Sequence, residues 1–389
     1  MEQQHLTHKD TVNYGSFYTP ERLVGIVYEL ITKKVPDFAK YTILDTSCGY
    51  GGFLRGENTI GADIDKNAVK TAMANGGAKT YFIQNSLLHI SRTQYNLGKD
   101  SKIIIVGNPP YNDTTSMIRN NIKRADFERD ADVFSRDLGI SFLLSYDKLQ
   151  ADYVCILHPL SYLIKKANFE SLGAFRKNYK LTDSVIISSA EFSATSKSTC
   201  FPIIIAFYEK NIFGMDYNYI LNYKFETNDG KKFSMNQFES IGKYITKYPN
   251  QKNVSREEAV AFFYTMRDIN ALKRTATFID VENYNTIRVT KETLAFYCYV
   301  DIFKKYISHI PYYFGNSDCF INIEPFYDLQ GTFLFESARK HQKLKPYISD
   351  TKNYNDSRII INNYFRDMLG EHYVQGRQTR RGIEGNGAG

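Results

Sequence analysis

The chain predicts an α/β fold built on a parallel sheet, followed by a smaller α+β domain. Three features of the sequence carry that expectation. Over about the first 210 residues, short β-branched runs alternate with stretches of helical periodicity, the pattern of βα units. A glycine-rich turn, TSCGYGG, directly follows the first of these runs. After Lys210 the alternation stops, and short strand-like pieces rich in Tyr and Asn replace it. The expected domains are therefore 1–212 and 213–375. The remainder, 376–389, is glycine-rich without apolar periodicity and reads as a disordered tail or a cloning remnant.

Taken in order, Leu23, Val24, Ile26, Val27, Leu30 and Ile31 recur at helical spacing over 20–34, with Thr19-Pro20 as cap and first turn. Residues 41–45 read as a buried strand, 59–65 (TIGADID) as a second, 80–86 (TYFIQNS) as a third and 102–108 (KIIIVGN) as a fourth. A helix is expected over 65–74. The segment 112–137 is polar and highly charged, and reads as long and mobile with partial helix. Helix 140–149, strand 152–157, helix 163–178 and strands 182–188 and 201–209 complete the first domain.

With 389 residues the chain can bury a substantial core. A formal charge of +7 suits a polyanionic partner without requiring one. The cysteines Cys48, Cys155, Cys200, Cys298 and Cys319 are odd in number, far apart and without a CxxC pair, and the His residues do not cluster with them. This argues against a disulfide framework and a metal site, and suits a reducing compartment. The polar start MEQQHLTHKD has no signal-peptide apolar region, and no apolar run approaches membrane-spanning length. A soluble, cytoplasmic protein is expected.

The stretch GNPPYN (107–112) raises the functional question. Two prolines straight after a β-branched strand cannot continue it, because neither has an N–H to give to a ladder. Such a turn is either a stiff surface connection or a clamp for an amine. Upstream, the TSCGYGG turn would let a ligand lie against backbone, with the next helix start favouring an anionic group. The spacing matches neither a Walker A nor a GxGxxG pattern, and a tight structural turn explains this stretch alone equally well. Asp63 and Asp65 close the second strand, where a carboxylate can accept two ribose hydroxyl hydrogen bonds. Asp63 is the preferred ribose ligand; Asp65 could instead cap the following helix.

In combination, GSFYTP (15–20), DTSCGYGGFL (45–54), GADID (61–65), QNSLL (84–88) and GNPPY (107–111) resemble, in order and spacing, the S-adenosylmethionine-dependent N6-adenine DNA methyltransferases. The likeness is to the gamma-type group, whose donor motifs precede the catalytic motif and whose target-recognition region is C-terminal. It covers roughly the first 210 residues and implies a Rossmann-like class I methyltransferase sheet flanked by helices. By this resemblance Tyr14, Phe17, Tyr18, Thr19 and Pro20 fold over the methionine end of the donor. Asp45 meets its amino group and Asp63 its ribose, while Cys48, Gly49, Ile64, Ser86, Asn108 and Pro110 line the same pocket. Asn85 stands where the family usually has Asp. Its carbonyl can still accept from the donor's adenine amino group, so weaker donor binding is expected.

The resemblance makes Asn108, Pro109, Pro110 and Tyr111 catalytic. Adenine N6 is a poor nucleophile because its lone pair is delocalised into the ring. Two rigid, neutral acceptors, the Asn108 side-chain oxygen and the Pro109 carbonyl, would take both amino hydrogens and aim the lone pair at the methyl group. Tyr111 would stack on a base flipped out of the duplex. The second stacking aromatic of the family matches Phe192, with Phe201 as the runner-up. Phe142 lines the donor adenine pocket or belongs to the core.

For DNA contact, Arg339, Lys340, Lys343 and Lys345 lie close together in ESARKHQKLKPY (336–347), and FKKYISHIPYYFGNS (303–317) interleaves basic and aromatic residues. Either stretch alone reads equally as a solvated face. Arg119, Lys123 and Arg124 are candidates in the charged segment beside the catalytic turn. The expected partner is double-stranded DNA, bound by a monomer. The activity expected is that of a stand-alone enzyme or the modification half of a restriction–modification pair with a separately encoded endonuclease. The rivals are an RNA adenine or protein glutamine methyltransferase using the same clamp, and a non-catalytic DNA-recognition subunit. N4-cytosine transfer is chemically close, but relatives performing it more often carry Ser in place of Asn108.

Overall fold

The computed structural model describes residues 19–111, 128–192, 200–249, 258–349 and 354–375. By its internal contacts the chain divides into two compact units, Met1–Gln237 and Phe238–Gly389.

The first unit is built on a seven-stranded sheet in the order β3-β2-β1-β4-β5-β7-β6. Its strands are β1 (Thr42–Asp45), β2 (Thr59–Asp63), β3 (Thr80–Ile83), β4 (Ile103–Gly107), β5 (Tyr153–Pro159), β6 (Tyr179–Ser188) and β7 (Pro202–Lys210). Neighbours from β3 to β5 pair in parallel, and β7 runs antiparallel between β5 and β6. This is the expected Rossmann-like sheet flanked by helices. Fully buried Ile103–Val106 explains why the strand reads as a continuous apolar run: a parallel strand covered on both faces has no polar side.

Helix α1 (Glu21–Lys34) buries Leu23, Val24, Val27, Leu30 and Ile31 against one face of the sheet. Alternate residues of three strands meet it there: Ile104 and Val106, Cys155 and Leu157, and Ile203, Ile205 and Phe207. Helix α2 (Lys66–Asn75) is capped by Asp65, which accepts from the backbone N–H of Asn67 at 2.8 Å. Strand β2 accordingly stops at Asp63, and Asp65 has the capping role. Helix α3 (Leu138–Lys148) is buried almost all round and is capped by Asp137.

Three sequence readings differ from the structure. The single helix expected over 163–178 is three short ones, α4 (Ser161–Ile164), α5 (Lys166–Ser171) and α6 (Gly173–Asn178). Lys165 is extended, with ψ 116°, and Gly173 adopts φ +53°, so the helical hydrogen-bond ladder restarts twice. The contact division falls after Gln237 rather than near 212. Helix α7 (Tyr217–Asn222) and the hairpin β8 (Phe225–Glu226) and β9 (Lys232–Phe233) attach to the sheet edge: Asn228 N–H donates to Ile186 O at 3.0 Å and Tyr219 Oη to Leu181 O at 2.7 Å. The second unit also carries long helices where scattered strands were expected.

Those helices are α9 (Leu294–Tyr306), α10 (Ile323–Ala338) and α11 (Ser357–Leu369), following α8 (Ile269–Arg274). The sheets beside them are small: β11 (Ala261–Tyr264) between β12 (Phe278–Ile279) and β13 (Thr286–Val289), and β10 (Glu239–Ser240) with β14 (Phe320–Ile321). Tyr299 centres the core, its ring meeting those of Phe303, Phe326, Phe333, Tyr364 and Phe365. Among the described residues no helix is long and apolar enough to cross a membrane.

Leu157 is fully buried where α1 meets the sheet. Leu157→Ala should cost about 2–5 kcal/mol, read as a lower midpoint in chemical denaturation followed on the first unit's transition.

Candidate active site

The strand order reverses between β1 and β4, so the connections leaving these neighbours diverge and open a crevice at their carboxyl ends. Asp45 ends β1, and Asn108 follows Gly107 at the end of β4. Gly107 has φ +143°, and a Cβ there would lie 2.8 Å from Asp45 Oδ1. Only glycine permits both the conformation and the approach. Sequence reasoning passed over this residue, although its place just before the double proline marks it.

Asp45 is 1% exposed. Its Oδ1 accepts from Ser47 N–H at 3.0 Å, while Oδ2 is buried with no hydrogen-bond partner among the described residues. Burial pushes the carboxyl from its ordinary 3.8 up to about 8, the Ser47 N–H opposing and the nearby Asp63 charge adding to the rise. Asp63 is held from two sides, by Gly49 N–H on Oδ2 at 2.8 Å and Asp65 N–H on Oδ1 at 2.9 Å. Burial raises it as well, against these backbone donors. Gly49 reaches Asp63 from the glycine-rich turn with φ +53°, so the first and second strand ends are tied together. Ile64 is 53% exposed, and Ile83 across the β2–β3 pair is 52% exposed, leaving apolar surface beside Asp63.

The other expected donor-side residues fall into place unevenly. Thr19 is buried, and its Oγ1 accepts from Asn108 Nδ2 at 3.2 Å, while the Pro20 carbonyl starts α1. The Cys48 thiol packs with Leu54 and Ala72, is raised by burial, and donates to the Gly49 carbonyl of the turn at 3.7 Å. Asn85 has both polar ends engaged: Nδ2 donates to Glu128 O at 2.8 Å, and Oδ1 accepts from Leu87 N–H at 3.0 Å. Its oxygen keeps a second lone pair. Ser86 is buried, and its Oγ has no partner among the described residues.

At the double-proline turn, Pro109 is buried and Pro110 and Tyr111 are partly exposed. With Nδ2 turned to Thr19, Asn108 leaves Oδ1 buried and without a partner among the described residues. A buried, unsatisfied acceptor costs about 1–3 kcal/mol, and two such atoms lie on adjacent strand ends here. Such an arrangement can receive two donors: a cation at Asp45 and a neutral N–H group at Asn108.

Phe192 does not take its expected place. It is 1% exposed and packs in the core formed by α1 and the sheet, so its ring has no face for a base in this conformation. Phe142 is likewise buried, on α3. In the second unit Arg339 pairs with Glu336 at 3.0 Å and Lys343 with Asp280 at 2.7 Å, while Lys340 and Lys345 are exposed. Of the 303–317 stretch, Phe303, Tyr313 and Phe314 are core residues rather than a stacking surface. Tyr14, Phe17, Tyr18, Arg119, Lys123 and Arg124 lie outside the described residues.

No protein-family model matches the chain, and no curated protein does. Solved structures with a similar fold include a candidate class I S-adenosylmethionine-dependent methyltransferase of Listeria monocytogenes, at TM-score 0.38 and 15% identity over 56% of this chain and 66% of that one. A candidate RNA methyltransferase of Pyrococcus horikoshii scores 0.32 at 15% identity over 52% and 88%. The methyltransferase subunit of a type I restriction–modification system of Streptococcus thermophilus scores 0.39 at 15% identity over 57% and 48%, so the chain spans about half of that subunit. At such scores function has to be argued from the site's own residues.

With its carboxyl raised to about 8, Asp45 makes the folded state bind a proton that the unfolded state releases near 3.8. The wild-type protein therefore loses stability as pH climbs from about 4 to about 8. Asp45→Asn removes that loss, so denaturation midpoints should favour the variant increasingly over this window and by a constant margin above it.

Proposed function

We propose that this chain transfers a methyl group from S-adenosylmethionine to adenine N6 in double-stranded DNA. The observation that carries the reading is the pair of buried, unsatisfied acceptors, Asp45 Oδ2 and Asn108 Oδ1, on neighbouring strand ends. They differ in the way the two substrates differ. Asp45 can ionise and suits the ammonium of the donor's amino-acid end. Asn108 is neutral and suits an uncharged exocyclic amine.

The residues present fit the donor. Asp45 would hold its ammonium, Asp63 its ribose hydroxyls, and Ile64, Ile83 and Asn85 its base. The donor supplies an electrophilic methyl group on a sulfonium. For the acceptor, Asn108 Oδ1 and the Pro109 carbonyl would accept from the two amino hydrogens, and the proline ring fixes φ on the chain that carries them. The contribution is orientation and preorganisation. Tyr111 would supply a stacking face. The second unit, with Arg339, Lys340, Lys343 and Lys345, is assigned to target recognition on the strength of the sequence resemblance and of its own compactness.

The test is modified-base sequencing of DNA from a host lacking adenine methylation that expresses the chain or its Asn108→Ala variant. N6-methyladenine should occur in one recurring sequence with the former and be absent with the latter. Unmodified DNA despite soluble protein would overturn the reading.

Donor binding carries its own signature. Below pH 8 Asp45 must lose a proton to receive an ammonium, so affinity should climb from pH 6 towards 8, by about tenfold per unit at its steepest. Above about pH 8 the donor's α-amino group deprotonates and affinity should fall again. Calorimetry in buffers of different ionisation heat should show proton release at pH 7, lost in Asp45→Asn.

A further inference from the structure

Strand β5 lies beside β4 in parallel, so the helix leaving β5 emerges next to the turn leaving β4. Tyr162, on α4 just beyond β5, is 1% exposed. Its ring stacks on His158 with centroids 5.3 Å apart and planes 11° apart. His158 in turn stacks on Tyr208 and shares a 2.7 Å hydrogen bond between its Nε2 and the Tyr208 hydroxyl. Burial lowers His158 to about 4, so this column of rings stays uncharged at neutral pH. At its free end the Tyr162 hydroxyl donates to Asp137 Oδ1, the oxygen that also accepts Gly139 N–H at 3.0 Å to cap α3.

The capped turn is wedged between two tyrosines. A Cβ on Gly139 would lie 2.5 Å from the Tyr162 hydroxyl and 3.1 Å from Tyr111 Cβ. The turn is braced from its other side as well, by Ser141 Oγ, which accepts from Ser135 N–H and Arg129 Nη1, each at 3.1 Å. Tyr111 belongs to the double-proline turn, so a rigid line runs from the ring column through Asp137 and Gly139 to that turn.

We propose that Tyr162 and Asp137 are positioning residues for the acceptor amine, setting Tyr111 and the Asn108 turn through the bare backbone of Gly139. The inference rests on the methyltransferase reading of the site. The donor-side carboxylates Asp45 and Asp63 are held by the N–H groups of Ser47, Gly49 and Asp65, none of which belongs to this line. The line therefore bears on the acceptor turn, while the Asp45 and Asp63 contacts proposed for the donor lie outside it.

Gly139→Ala tests this. The added methyl should push Tyr111 and slow single-turnover methyl transfer to the recognised DNA by about 10- to 100-fold. Donor affinity by calorimetry should stay within about twofold of wild type, because the Asp45 and Asp63 contacts that carry most of it are untouched. Tyr162→Phe keeps the stacked ring and removes the struck oxygen, and alone it should slow transfer less. Combined with Gly139→Ala it should be faster than Gly139→Ala by itself, since the nearest clash is gone. A wild-type protein inactive on DNA would sink the function proposed for the site, and this inference with it. An active wild type with Gly139→Ala equally fast would overturn the inference alone. So would a parallel loss of donor affinity, or a double variant no faster than Gly139→Ala.

Discussion

The site depends on one close approach, that of the Asp45 carboxylate to the backbone at Gly107. In register β4 runs one residue past its parallel neighbour β1, and the carboxylate at the tip of β1 lies where a side chain on Gly107 would project. Removing that side chain lets a carboxyl sink to 1% exposure with one backbone donor on it. The same approach leaves Gly107 at φ +143°, which swings the following Asn108 out of the strand direction and towards Thr19. The buried carboxyl and the neutral amide are thus set by a single backbone geometry.

That geometry separates the charge states of the two acceptors. A buried carboxyl with little hydrogen bonding stays protonated near neutrality, while an amide has no such option and remains a neutral acceptor at every pH. Asp63 differs again. It is also raised by burial, but two backbone N–H groups occupy its oxygens and fix its orientation. Three side chains on adjacent strand ends therefore offer three kinds of acceptor: one that must ionise to bind, one held by backbone donors, and one neutral. In the proposed reading, the ammonium and ribose of the donor and the uncharged amine of the acceptor would use all three.

The sequence made the strands, the order of the motifs and the role of Asp65 legible, because each has a local cause. Short apolar runs of β-branched or aliphatic residues, and an acid ahead of a helix, declare themselves without knowledge of the fold. It was less informative where burial decides. Phe192 matched a pattern of spacing, yet that pattern says nothing about which side of the sheet the ring falls on, and α1 covers it. The aromatics of 303–317 misled for the same reason, since Phe303 and Phe314 fill the core of a unit rich in Tyr and Phe. The helices α9, α10 and α11 carry β-branched and aromatic residues of modest helix propensity, and it is their packing around Tyr299 that stabilises them.

Gly139, Asp137 and Tyr162 show the limit most clearly, because none has a motif. A glycine one residue inside a helix looks like a weakness costing up to about 1 kcal/mol against alanine. In the fold it is a gap of defined size: an alanine there would meet an oxygen at 2.5 Å on one side and a carbon at 3.1 Å on the other. The helix gives up some propensity so that two tyrosines from separate connections can be set against one backbone. Asp137 recovers part of that loss by capping the same turn with the oxygen that fixes Tyr162. What holds the double-proline turn is therefore a shape left empty, and a sequence states an empty shape only through the residues that surround it once folded.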